Sequence, residues 1–91
     1  MSERHLRWIR QQSCVVPGCR STLPIEAHHV RTAANAGTGR KPDDAFACPL
    51  CWEHHREHHL IGARSFEARY QLDLLAEAAR YAASSGTELL I

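Results

Sequence analysis

A chain of 91 residues with net charge +1 describes one small domain, residues 1–91, whose core can bury only about 60–65% of the unfolded surface and so needs a staple. No apolar run reaches the length of a membrane span, and the first ten residues lack the apolar stretch of a secretory signal. The four cysteines and seven histidines therefore point to metal ligation in a reducing cytoplasm rather than to a secreted disulfide scaffold.

In chain order, Arg4–Gln12 mixes Leu6, Trp8 and Ile9 with Arg4, Arg7 and Arg10, a pattern that suits a short helix or a strand equally. Cys14-Val-Val-Pro-Gly-Cys19 reads as a tight turn on Pro17-Gly18, and Leu23–Val30 as an extended segment ending in His28-His29. Residues 31–43, rich in Ala and Gly and closed by Pro42, read as a flexible connection. Ala45-Phe46-Ala47 then offers a brief strand before Cys48. A helix is predicted from about Pro49 to Leu60 with Gly62 as its stop, and a closing helix over about 66–83 with Ser65 as N-cap. Phe66, Tyr70, Leu74 and Ala78, joined by Ala79 and Tyr81, repeat every four residues in that closing helix and predict core packing. Leu72, Leu75 and the terminal Leu89-Leu90-Ile91 are either an interface or further packing.

Two sets of metal ligands interleave. Cys14-x4-Cys19, then Cys48-x2-Cys51 with His54, offers five donors for the four places of a structural zinc. Cys51 can complete the set with either Cys48 or His54. The second set is His28-His29 on the extended segment and His55-x3-His59 on the helix, where i and i+4 share a face. His54 and His58 form another such pair one face around, so one helix can serve zinc on one side and a second ion on the other. Neighbouring strand residues point oppositely, which lets one of His28 and His29 bind metal while the other addresses water or substrate. By softness an all-imidazole set suits Zn²⁺, Ni²⁺, Mn²⁺ or Co²⁺ better than Mg²⁺.

The Cys pair, Ala27-His28-His29-Val30, an Asp-containing segment, and Cys51-x2-His54-His55-x3-His59 together resemble the HNH, or ββα-metal, endonucleases. Gly39-Arg40-Lys41-Pro42-Asp43-Asp44 and Pro49-Leu50-Cys51 are similar to the small phage and prophage HNH proteins linked to recombination. The likeness covers about residues 4–70 and implies an α+β, ββα-metal domain with flanking helices, its motif core at about 12–62. It further implies DNA phosphodiester hydrolysis in a bacterial host's cytoplasm. On this resemblance His28 stands at the first ligand of the catalytic ion, His29 at the general base, and His55 and His59 at the helical ligands. Asp44, or Asp43 as second choice, stands where the family has an Asn, so that position departs from the pattern. A Cys precedes the final His in many relatives, which favours His54 over Cys48 as the fourth zinc ligand. Mg²⁺ or Mn²⁺ is the catalytic ion that the resemblance implies, beside Zn²⁺ or Ni²⁺.

Residues 1–41 carry seven Lys/Arg against two acids, and residues 42–91 four against eight, so the basic half suits a phosphate-rich partner. DNA, single- or double-stranded, would meet Arg31, Arg40 and Lys41, with Arg7, Arg10 and Arg56 as second choices. No base-reading helix is evident, so low sequence specificity is expected. A domain this small and nearly neutral is expected to need a recombination protein or a second copy for affinity. The competing readings are a zinc-stabilised nucleic-acid- or protein-binding module without catalysis, and a metal sensor. Neither needs His28, His29, His55 and His59 together.

Overall fold

The computed structural model describes residues 3–30 and 46–89, with side chains as far as residue 84. Among these residues two strands and four helices follow in the order α1 (Glu3–Ile9), β1 (Ile25–His29), β2 (Ala47–Cys51), α2 (Trp52–Ile61), α3 (Ala63–Tyr70) and α4 (Leu74–Leu89). The chain is thus a small α+β protein built on a two-stranded sheet.

The N-terminal segment, open to either reading in sequence, is a helix. Glu3 in its first turn and Arg7 in its last agree with the helix dipole, and Ile9 and His5 are its buried residues. The Cys14–Cys19 segment closes as the residues demand. Proline at the second and a positive-φ glycine at the third position define a type II turn. Here Gly18 has φ 76°, and the Cys19 amide donates to the Val16 carbonyl at 3.1 Å. The Val15 amide donates to the Pro49 carbonyl at 2.8 Å, which pins this turn beside β2.

Strands β1 and β2 are antiparallel, with Ile25 opposite Cys51, His28 opposite Cys48 and His29 opposite Ala47. Pro49 sits inside β2, although a helix was predicted to start there. Among the described residues the sheet has only these two strands, both edges, where a proline without an amide donor is tolerated. Helix α2 begins at Trp52, whose amide donates to the Pro24 carbonyl at 3.0 Å. It stops at Gly62 (φ 88°), as expected.

The predicted closing helix is two helices. Gln71 adopts the left-handed conformation (φ 53°, ψ 50°) as the C-cap of α3, and the Leu72 amide returns to the Glu67 carbonyl at 2.9 Å. Asp73 then starts α4, its Oδ1 accepting from the Ala76 amide at 3.1 Å, while Glu67 Oε2 accepts from the Leu74 amide at 2.8 Å. Ser65 lies inside α3 and is not its cap, because Gly62 ends one helix and opens the next.

The core joins Val16, Val30, Cys48, Leu50, Phe66, Leu74 and Ala78. The four-residue spacing of Phe66, Leu74 and Ala78 did mark core positions, but it runs across the break. Ala79, expected to join them, is exposed. Leu72 is packed against the core and Leu75 is exposed; the side chains of residues 89–91 lie outside the described ones. No helix among the described residues is long and apolar enough to cross a membrane.

Helix α2 is unusual in this frame because it has no buried residue. Of its apolar side chains only Ile61 rests half-buried against the core, while Trp52 and Leu60 are exposed. Its inward faces carry imidazoles instead.

Candidate metal centres on the two sides of helix α2

The first group is Cys14, Cys19, Cys51 and His54, whose ligand atoms all lie within 4.8 Å of one another. The turn supplies two thiols, the end of β2 the third, and the first turn of α2 the imidazole. His54 Nδ1 stands 3.5 Å from Cys14 Sγ and 3.2 Å from Cys51 Sγ, and Cys19 Sγ stands 3.9 Å from Cys51 Sγ. A tetrahedral zinc with ligands at about 2.3 Å for sulfur and 2.1 Å for nitrogen sets S···N edges near 3.6 Å and S···S edges near 3.8 Å. The spacing fits. None of the four cysteines is in a disulfide. Burial pushes the Cys14 thiol up to about 11, against the pull of backbone hydrogen bonds from Cys51 and Val16. A bound cation reverses that cost by holding the thiolate directly.

Cys48, the alternative fourth ligand in sequence, lies elsewhere. Three positions apart on a strand, Cys48 and Cys51 face opposite ways. The Cys48 thiol donates to the Leu74 carbonyl at 3.3 Å in the core, and burial raises it to about 12.

The second group is His28, His55 and His59, again within 4.8 Å. His28 comes from β1 and the other two from one face of α2. The Nε2 atoms of His55 and His59 are 3.3 Å apart, within the roughly 3.0–3.4 Å between nitrogens sharing one ion at about 2.1 Å. His28 is 8% exposed. Burial, then the imidazoles of His58, His55, His59 and His29, push it down to about 3. It is therefore neutral near pH 7, with a lone pair to offer.

Sequence reasoning passed over Glu26. Two residues before His28 on β1, it shares that strand face, and its Oε1 accepts from His55 Nδ1 at 2.6 Å. The carboxylate fixes the tautomer that leaves Nε2 free as a ligand atom, the usual support of a metal-bound histidine. The signal was the period-two step from Glu26 to His28, visible once β1 is known to be a strand.

His58, read as the partner of His54 one face around, does not join either group. Its ring lies 4.2 Å from that of His28 and 5.2 Å from that of Phe66. Among the described residues neither ring nitrogen has a hydrogen-bond partner, and burial lowers its pKa, followed by His59 and His55. Phe66 also meets His54, with ring centroids 6.4 Å apart, so one buried phenyl ring backs both sides of α2.

His29 stands at the end of β1, half-buried and opposite Ala47. It is outside the cluster that contains His28, as strand alternation requires. Arg7 and Arg56 are exposed, and Arg10 pairs with Glu3 at 3.2 Å. Arg31, Arg40, Lys41, Asp43 and Asp44 lie outside the described residues.

These observations define a class: a small α+β protein whose cysteine–histidine cluster is compatible with a bound metal such as zinc. The chain belongs to the family described as proteins of unknown function, DUF968, whose model matches residues 1–86. It is 35% identical over 77 residues to the uncharacterized protein YdfU of Escherichia coli (strain K12). The match takes in 82% of this chain and 21% of that protein, so the chain spans about a fifth of the length of this curated relative. No solved structure matches it.

Proposed function

We propose that the chain is a metal-dependent endonuclease of the HNH, ββα-metal type, acting on DNA. One observation carries the reading: an imidazole from the strand, His28, converges with two from the helix, His55 and His59, apart from the thiolate cluster. A zinc-stabilised binding module has no use for this second group. Two antiparallel strands followed directly by the ligand-bearing helix also agree with a ββα arrangement.

In this scheme His28, His55 and His59 hold a divalent ion, and Glu26 orients His55. When bound, that ion supplies Lewis-acid charge to the scissile phosphate and the departing oxygen. His29, beside His28 at the end of the strand, takes the proton from the attacking water. Arg31, Arg40 and Lys41 are assigned to the phosphate backbone, and Asp44 to orientation of His29. By softness the all-imidazole set favours Zn²⁺, Ni²⁺ or Mn²⁺, and Mg²⁺ enters the proposal from the family resemblance alone. A role in phage or prophage DNA processing, with a recombination protein or a second copy as partner, belongs to the same proposal.

The test is cleavage of plasmid and single-stranded DNA across a panel of Mg²⁺, Mn²⁺, Zn²⁺ and Ni²⁺, with His29→Ala beside the parent. The parent cuts, and the variant loses about 10²–10⁴-fold in rate with its fold and zinc content kept. A parent that cuts with no metal of the panel and holds one zinc alone would be a binding module. Equal cutting by the variant would refute the assignment of His29.

A further inference from the structure

The solvent side of α2 carries a group of residues that hydrolysis does not use. Trp52 is 45% exposed and Leu60 74% exposed. The Arg56 guanidinium lies over the indole, 5.4 Å from its centroid. Positions 52, 56 and 60 repeat every four residues and line one stripe of the helix. His55 and His59, three and seven positions after Trp52, border that stripe on one side, about 10 Å of helix separating Trp52 from His59. Glu53 borders it on the other. Glu57 is engaged by Tyr70, which donates to its Oε1 at 2.5 Å, and by Arg69. Arg56 makes no ion pair among the described residues.

We infer that Trp52 and Arg56 form a stacking platform for an unpaired base of a single-stranded nucleic acid, seated beside the His28–His55–His59 centre; the placement of that strand rests on the nuclease reading above. The indole face opposite Arg56 can stack a base of any sequence, and the guanidinium over the other face answers the adjoining phosphate. Paired bases have their faces covered by neighbours and cannot use such a platform. The stripe therefore favours single strands, frayed ends or unpaired junction arms over continuous duplex. Continuity with a phosphate-handling site and the cation on the ring favour a nucleic acid over a protein partner.

The probe is a labelled oligothymidylate, compared with a duplex of equal length, without added divalent ion so that binding is read apart from cleavage. Binding to the parent quenches Trp52 fluorescence in a Trp8→Phe background. Trp52→Ala weakens oligothymidylate binding by roughly 10- to 100-fold, Trp52→Phe retains most of it, and duplex affinity changes little. In cleavage of single strands, Trp52→Ala raises KM more than it lowers kcat. Should Trp52→Ala not fold, the quenching measurement decides, and Trp52 emission unchanged by saturating oligothymidylate overturns the platform.

Oligothymidylate binding that is absent in the parent, or equal in the parent and a folded Trp52→Ala, overturns the platform. So does a Trp52→Ala chain that turns from dimer to monomer with unchanged strand affinity, which would make the stripe a protein interface. A parent that binds through Trp52 and never cuts refutes the nuclease reading and leaves the platform standing.

Discussion

Glu26 and His55 stand 2.6 Å apart, carboxylate oxygen to Nδ1, and join strand β1 to helix α2. The pair turns the other ring nitrogen of His55 toward His59. Substituting Glu26→Gln keeps an acceptor and removes the charge. It should weaken binding of Mn²⁺ or Ni²⁺ at the histidine group by about 10- to 100-fold and leave zinc content unchanged. Calorimetric titration gives the number, and an unaltered affinity would show that the carboxylate only braces the sheet against the helix.

The two cysteines of β2 should behave differently. Cys51→Ser removes a donor that touches both Cys19 and His54, so the purified variant should carry no zinc and lose its helical circular dichroism. Cys48→Ala removes a core thiol bonded to Leu74. It should cost about 1 kcal/mol and retain one zinc per chain. Mass spectrometry under native conditions separates the two, and a zinc-free Cys48→Ala chain would reverse the assignment.

Phe66 is fully buried between the histidines of α2 and Tyr70. Phe66→Ala should lower stability by about 3–5 kcal/mol, a large share of the roughly 5–15 kcal/mol that holds a domain folded. Denaturant titration of the metal-loaded protein measures this. A loss under about 1 kcal/mol would mean that ligation alone holds α2 in place.

Treatment with a strong chelator should unfold the chain cooperatively, because structural zinc contributes its binding free energy directly to folding. Zinc added back should restore the native spectrum. Persistence of the full helical signal in the stripped protein would show that the apolar core suffices.

Much of the site was legible because it rests on short-range chemistry. Pro17-Gly18 dictates the turn that pairs Cys14 with Cys19, and helical spacing places His55 and His59 together. What sequence could not show depends on contacts distant along the chain. Glu26 gains meaning only when β1 faces α2. The rejection of Cys48 depends on Pro49 lying in a strand, where alternation turns the two thiols apart. The break at Gln71 was hidden for another reason. Phe66, Leu74 and Ala78 keep a helical spacing across it, and the left-handed cap is a glutamine where glycine would have announced a stop.

Because α2 offers no buried residue to the interior, oily contacts alone give it little reason to dock. During synthesis the Trp52–Ile61 segment would stay open to proteases until an ion is captured by the three thiols together with His54. The share of the chain that is folded would then follow the supply of that ion.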